Sequence, residues 1–205
     1  MEDRIIKYNT IKQPSQGLFK DKGSKFIAFA FHVESEEEVK KYQEKIRIEY
    51  HDARHHCYAY ILGPDKKHYR ANDDGEPSSS AGKPILGQIR SFELTNTLII
   101  VIRYFGGVLL GVGGLINAYK TAAADALKST TIIKKTLHDI FEMKFEYPDM
   151  NDVMRLIKED NINMIDQKFD LSCSVTLKLD INNAEKILKK FKILDTVKVK
   201  FIETI

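Results

Sequence analysis

Cysteine is scarce in this chain of 205 residues: only Cys57 and Cys173 occur, in segments that read as different domains. That spacing excludes a disulfide framework and points to free thiols in a reducing compartment. Long apolar runs are missing as well. A membrane helix needs about 18 consecutive apolar residues, and the densest patch, Leu98 to Ile102, is a strand-length run. The start Met1-Glu2-Asp3-Arg4 lacks the basic-then-apolar order of a secretory signal. These absences predict a cytoplasmic protein without a membrane partner. Charge is nearly balanced at +3 but unevenly spread. Residues 1–136 hold 21 Lys and Arg against 16 Asp and Glu, a balance of +5, and residues 137–205 hold 11 against 13, a balance of −2. A mildly basic first part permits a phosphate-rich partner without demanding one.

What is present is concentrated between Asp73 and Tyr119. Asp73-Asp74-Gly75-Glu76-Pro77-Ser78-Ser79-Ser80-Ala81-Gly82-Lys83-Pro84 packs three carboxylates, three hydroxyls and two prolines into an irregular loop. Arg103 to Leu115 then places Gly106, Gly107, Gly111, Gly113 and Gly114 between a strand-like run and an alanine-rich helix. A glycine loop leading into a helix N-terminus presents free N–H groups and suits an anion. The two stretches predict one polar site.

Around them the periodicity predicts strands over 26–33, 57–62 and 97–104 and helices over 36–50, from Pro84 to about Phe92, and over 115–128. Ser35-Glu36-Glu37-Glu38 has the form of a capping box. A weak linker is expected near 130–138. Beyond it, strands from Phe141, Ile162, Ser172 and Thr196 alternate with helices after Pro148-Asp149 and over 184–191, the latter capped by Asn182-Asn183, with the middle strands meeting near Asp170. The order β-α-β-β-α-β is a ferredoxin-like, split-βαβ pattern. The fold class is α+β, with domains over 1–136 and 137–205.

The motifs bear on several chemistries. His51 and His55 are four apart, but a strand begins at once and Asp52 stands where a zincin-type motif needs Glu. Polar closure of a helix end is the reading favoured over a metal. Asp73, Asp74 and Glu76 could hold a cation or transfer protons, or could accept backbone N–H groups within a tight turn. No Gly-x-Ser-x-Gly surrounds Ser78, Ser79 or Ser80. Pro84 stands where a phosphate-binding P-loop needs Ser or Thr, and Ile116 stands where a dinucleotide fingerprint needs its third glycine. No catalytic residue, metal or cofactor is assigned.

Four segments resemble the IMPACT/YigZ family: Lys22 to Ala28, Asp52 to Tyr60, Asp73 to Leu86 and Arg103 to Leu115. The resemblance implies a first domain of the kind seen in a small-subunit ribosomal protein and in domain IV of elongation factor G. It further implies a second domain similar to the C-terminal domain of that factor. Eukaryotic relatives regulate translation, so it implies a non-enzymatic, translation-associated protein binding RNA or the ribosome. Alternatives are a protein-binding regulator and a metal-assisted hydrolase with His55 as a base. The expected ligand-binding residues are Arg54, His55, Asp73, Asp74, Glu76, Ser78, Ser80, Lys83, Arg103, Tyr104, Gly106, Gly107, Gly111, Gly113 and Gly114. Lys120 is expected to add a phosphate contact, and Tyr58, Tyr60 and Tyr104 are the aromatics available for stacking on bases, or for the core. Two departures stand out. Ser79 replaces the family's usual Gly and would be strained at φ > 0, and Asn117 stands where a cation is common.

Overall fold

The structure, a computed structural model, describes residues 5–169 and 173–205. Met1 to Arg4 and the expected meeting point at Asp170 lie outside the described residues. Contacts divide the chain into two compact units, Tyr8–Lys135 and Thr136–Ile205, the second joined by the segment that ends at Lys7.

The elements run β1 (Lys7–Ile11), β2 (Ser15–Asp21), β3 (Ser24–His32), α1 (Glu36–Glu49), β4 (His55–Leu62), β5 (His68–Asn72), α2 (Gly82–Ser91), β6 (Thr97–Tyr104), α3 (Gly111–Lys128) and β7 (Ile132–Thr136). Five of the strands form an antiparallel sheet in the order β2-β3-β6-β4-β5, and β1 pairs with β7. Because side chains alternate across a strand, the continuous apolar runs of β3, β4 and β6 must be covered on both faces. They are. Phe26, Ala28, Cys57, Ala59, Ile99 and Val101 pack under α2 and α3, against Ile85, Ile89, Ala118 and Ala122. Ile27, Phe29, Phe31, Ile100 and Ile102 pack with Val39 and Ile46 of α1.

α1 starts where its capping signal predicts, with the Glu38 amide donating to Ser35 Oγ at 3.3 Å. Three local expectations need correction. α3 begins at Gly111 rather than near 115, so Gly113 and Gly114 are helical. Most of the segment expected as a linker is strand, β7 and the start of the next one. β1, β2 and β5 carry no clear alternation and were not anticipated.

The second unit contains β8 (His138–Phe145), a short 3-10 turn at Tyr147–Asp149, α4 (Met150–Glu159), β9 (Asn163–Phe169), β10 (Cys173–Asp180), α5 (Ile181–Phe191) and β11 (Lys198–Thr204). Its antiparallel sheet has the order β11-β8-β10-β9, with β-α-β-β-α-β connectivity. Val175, Leu177 and Leu179 of β10 pack with Val153 and Phe191 from the two helices. The cap of α5 is Asp180, whose carboxylate accepts the Asn182 amide at 2.9 Å, not the Asn182-Asn183 pair.

Candidate functional site

Strand register gathers the singled-out loops at one end of the five-stranded sheet. Tyr104 faces Lys25, Arg103 faces His55, and Tyr58 faces Asn72. The β2–β3 turn, the approach to β4, the Asp-rich loop and the glycine loop therefore share that end.

The Asp-rich loop is folded by its own carboxylates. Asp73 Oδ1 accepts the amides of Ala81 (3.0 Å) and Gly82 (2.8 Å), and Oδ2 accepts that of Ser79 (2.8 Å). Asp73 thus supplies the cap that Ala81, without a polar side chain, cannot give α2. Burial opposes its ionisation, yet the three N–H bonds together hold its pKa below the ordinary value. Asp74 Oδ2 accepts the His56 amide at 2.7 Å, while Arg47 reaches Oδ1 at 3.5 Å. Ser79 has φ +64°, the left-handed region that strains a non-glycine residue. Ser80 is buried and donates to the Pro77 carbonyl at 2.6 Å; Ser78 is exposed.

Glu76 sits at the centre of a buried polar cluster. Its Oε1 accepts from Arg103 Nη1 at 2.7 Å and from Tyr119 Oη at 2.8 Å. Cys57 Sγ lies 3.3 Å from Tyr119 Oη and 3.0 Å from the Asp73 carbonyl. Burial pushes both the Cys57 thiol and the Tyr119 phenol well up, so neither is a nucleophile or base near neutrality. Arg103 Nε is buried without a partner among the described residues.

The expected carboxylate trio does not converge. Each member is engaged with a different structural partner, and no group of three or more His, Cys, Asp or Glu among the described residues is arranged to hold a metal. His55 is placed by the loop, its Nδ1 2.9 Å from the Asp74 carbonyl. Arg103, expected to meet phosphate, is committed to Glu76 and only 7% exposed. Tyr60 is buried, and Tyr58 and Tyr104 pack against the α1-side core. Tyr104 donates to Asp52 at 2.7 Å, a bond that pushes the phenol up to about 12.

The exposed cations at this end include Arg54, Lys83, Lys22 and Lys25, with Lys120 farther along α3; Asp52 is an exposed acid beside Arg54. Gly106 is pressed against the β2–β3 turn, its amide donating to Ser24 Oγ at 3.1 Å. A Cβ at Gly106 would meet Gly23 C at 1.9 Å, so only glycine permits this approach. Gly107 (φ +87°) and Gly111 (φ +71°) turn the loop, and α3 starts without a side-chain cap. Sequence reasoning missed Tyr119 and Cys57. The available signal was a single tyrosine set among the alanines of a close-packed helix.

Comparisons with known proteins match this unit and extend over most of the chain. The family model described as the Impact N-terminal domain matches residues 22–127. An IMPACT family member from Haemophilus influenzae is 33% identical over 83% of this chain and 82% of its own. IMPACT family member YigZ from Escherichia coli is 37% identical over 66% of this chain and 68% of its own. A crystal structure described only as that of a hypothetical protein superposes with a TM-score of 0.76 at 28% identity, covering 98% of this chain and 99% of that one.

Proposed function

The chain belongs to the IMPACT family, and on that premise we propose that it is a translation-associated regulator that contacts RNA, alone or in the ribosome, through one end of its first unit. The observation carrying this reading is the set of exposed cations, Arg54, Lys83, Lys22 and Lys25, brought by register to the sheet end that bears the glycine loop. Exposed lysines and arginines on one face are the footprint of phosphate binding. Family resemblance supports the translational setting, and the two units are proposed to be similar to domain IV and the C-terminal domain of elongation factor G. The buried cluster of Glu76, Arg103 and Tyr119 then acts as scaffold, fixing the loops that carry the cations.

The test is an anisotropy titration of the full chain with structured and single-stranded RNA across salt concentrations. Affinity that falls steeply with salt supports the reading. No binding at low salt removes it.

A further inference from the structure

We propose that the RNA surface reads unpaired nucleotides, using an exposed apolar patch on the glycine loop and the start of α3; this rests on the RNA reading above. Phe105 (53% exposed), Val108 (51%), Leu109 (82%), Val112 (52%) and Ile116 (39%) lie within residues 105–116. Val112 and Ile116, four apart on α3, share a face that Lys120 continues. A concentration of exposed apolar side chains in one loop and helix start marks an interaction surface.

The rim says what covers it. The Gly106–Ser24 contact brings the β2–β3 turn against the loop, and with it the exposed Lys20, Lys22 and Lys25; the half-buried Asp21 is the acid at that turn. A second copy docked face to face would bring two sets of these lysines into one interface. An apolar partner would leave them unused. RNA with unpaired bases supplies what both parts need, anionic phosphates beside apolar base faces. A duplex hides those faces in its stack.

Phe105 is the stacking platform. The Arg103 guanidinium carbon lies 5.6 Å from the centre of its ring, and Arg103 is fixed in turn by Glu76. Arg103 is therefore a positioning residue. Leu109, the most exposed of the five, is placed to wedge between bases. The stacking role for which the sequence offers Tyr58, Tyr60 and Tyr104, as an alternative to the core, passes to a residue outside the strands.

The experiment titrates the full chain with a labelled single-stranded RNA, with the duplex formed from it and its complement, and with phosphatidylcholine vesicles with and without phosphatidylglycerol. Wild type is expected to favour the single strand by at least about tenfold. Phe105→Ala and Leu109→Ala, with unchanged melting temperatures, should each weaken single-strand binding about tenfold and narrow that preference. Lys22→Ala with Lys25→Ala should weaken both RNAs and flatten the salt dependence. Equal affinity for the two RNAs, or an inert Phe105→Ala, overturns the inference and leaves RNA binding standing. Absence of binding to either RNA overturns both readings. Patch-dependent binding to anionic vesicles without RNA binding gives the surface to lipid and likewise overturns both.

Discussion

Glu76 and Arg103 have 3% and 8% of their side-chain surfaces exposed, so their pairing is decided by desolvation as much as by attraction. Removing one partner strands the other charge. Glu76→Ala should cost about 3–5 kcal/mol, whereas Glu76→Leu combined with Arg103→Met should cost clearly less. Urea unfolding of Glu76→Leu, Arg103→Met and the double variant measures this coupling, and simple additivity would show that the charges do not act as a pair. Asp73 gives a pH test at the same scale. Its folded pKa is depressed, so its contribution is complete above the unfolded value of about 3.9 and is lost as pH falls through the lower folded value. Between pH of about 5 and 2, the wild-type urea midpoint should therefore fall more than that of Asp73→Asn. Parallel midpoints would mean the three amides do not favour the ionised form. Asp73, Glu76 and Arg103 are expected ligand-binding residues in the sequence because their loops are unusual. The sequence does not show that Glu76 is bonded by Arg103 and Tyr119, because partners 27 and 43 positions apart leave no local pattern.

At the scale of elements, β2 and α3 are held close by absence of a side chain. A Cβ on Gly17 would lie 2.2 Å from Ala126 N and 2.7 Å from Ala122 O, both backbone atoms that cannot swing away. Gly17→Ala should cost about 1–3 kcal/mol or more. On α3 the opposite holds: a Cβ at Gly113 meets nothing within 4 Å, so Gly113→Ala should gain about 0.5–1 kcal/mol. Thermal melts of the two variants should shift in opposite directions; a Gly17→Ala melting temperature that does not fall would show that α3 does not sit against β2 as described. These helices and strands were unequally legible. β6 spans the residues its apolar run predicts because every position but the last is buried. α3 was read one turn short because glycine's low helix propensity masks a helix whose first turn is exposed and whose apolar stripe begins at Leu115. β5 escaped because its residues are exposed or half-buried and show no period of two.

In the whole molecule the two units differ in how far each can stand alone. Both cores that flank the five-stranded sheet lie within Tyr8–Lys135, as do the loops carrying the proposed site. The second unit has its own core, but its contacts extend to the segment before Tyr8; the Leu137 amide donates to the Ile6 carbonyl at 2.7 Å. Its basic helix is also partly neutralised. Of the α5 lysines Lys186, Lys189, Lys190 and Lys192, Lys189 pairs with Glu185 at 2.8 Å and Lys190 with Asp160 at 2.6 Å. With 13 acidic residues against 11 basic ones beyond residue 136, that unit is expected to bind phosphate weakly. We therefore predict that a fragment of residues 8–135 folds alone and keeps most of the single-stranded RNA affinity, while residues 137–205 keep little even where they fold. Circular dichroism establishes folding, and the same anisotropy titration measures affinity. Comparable binding by the C-terminal fragment, or an N-terminal fragment that folds and does not bind, would place the recognition surface in the half of the chain opposite to the glycine loop.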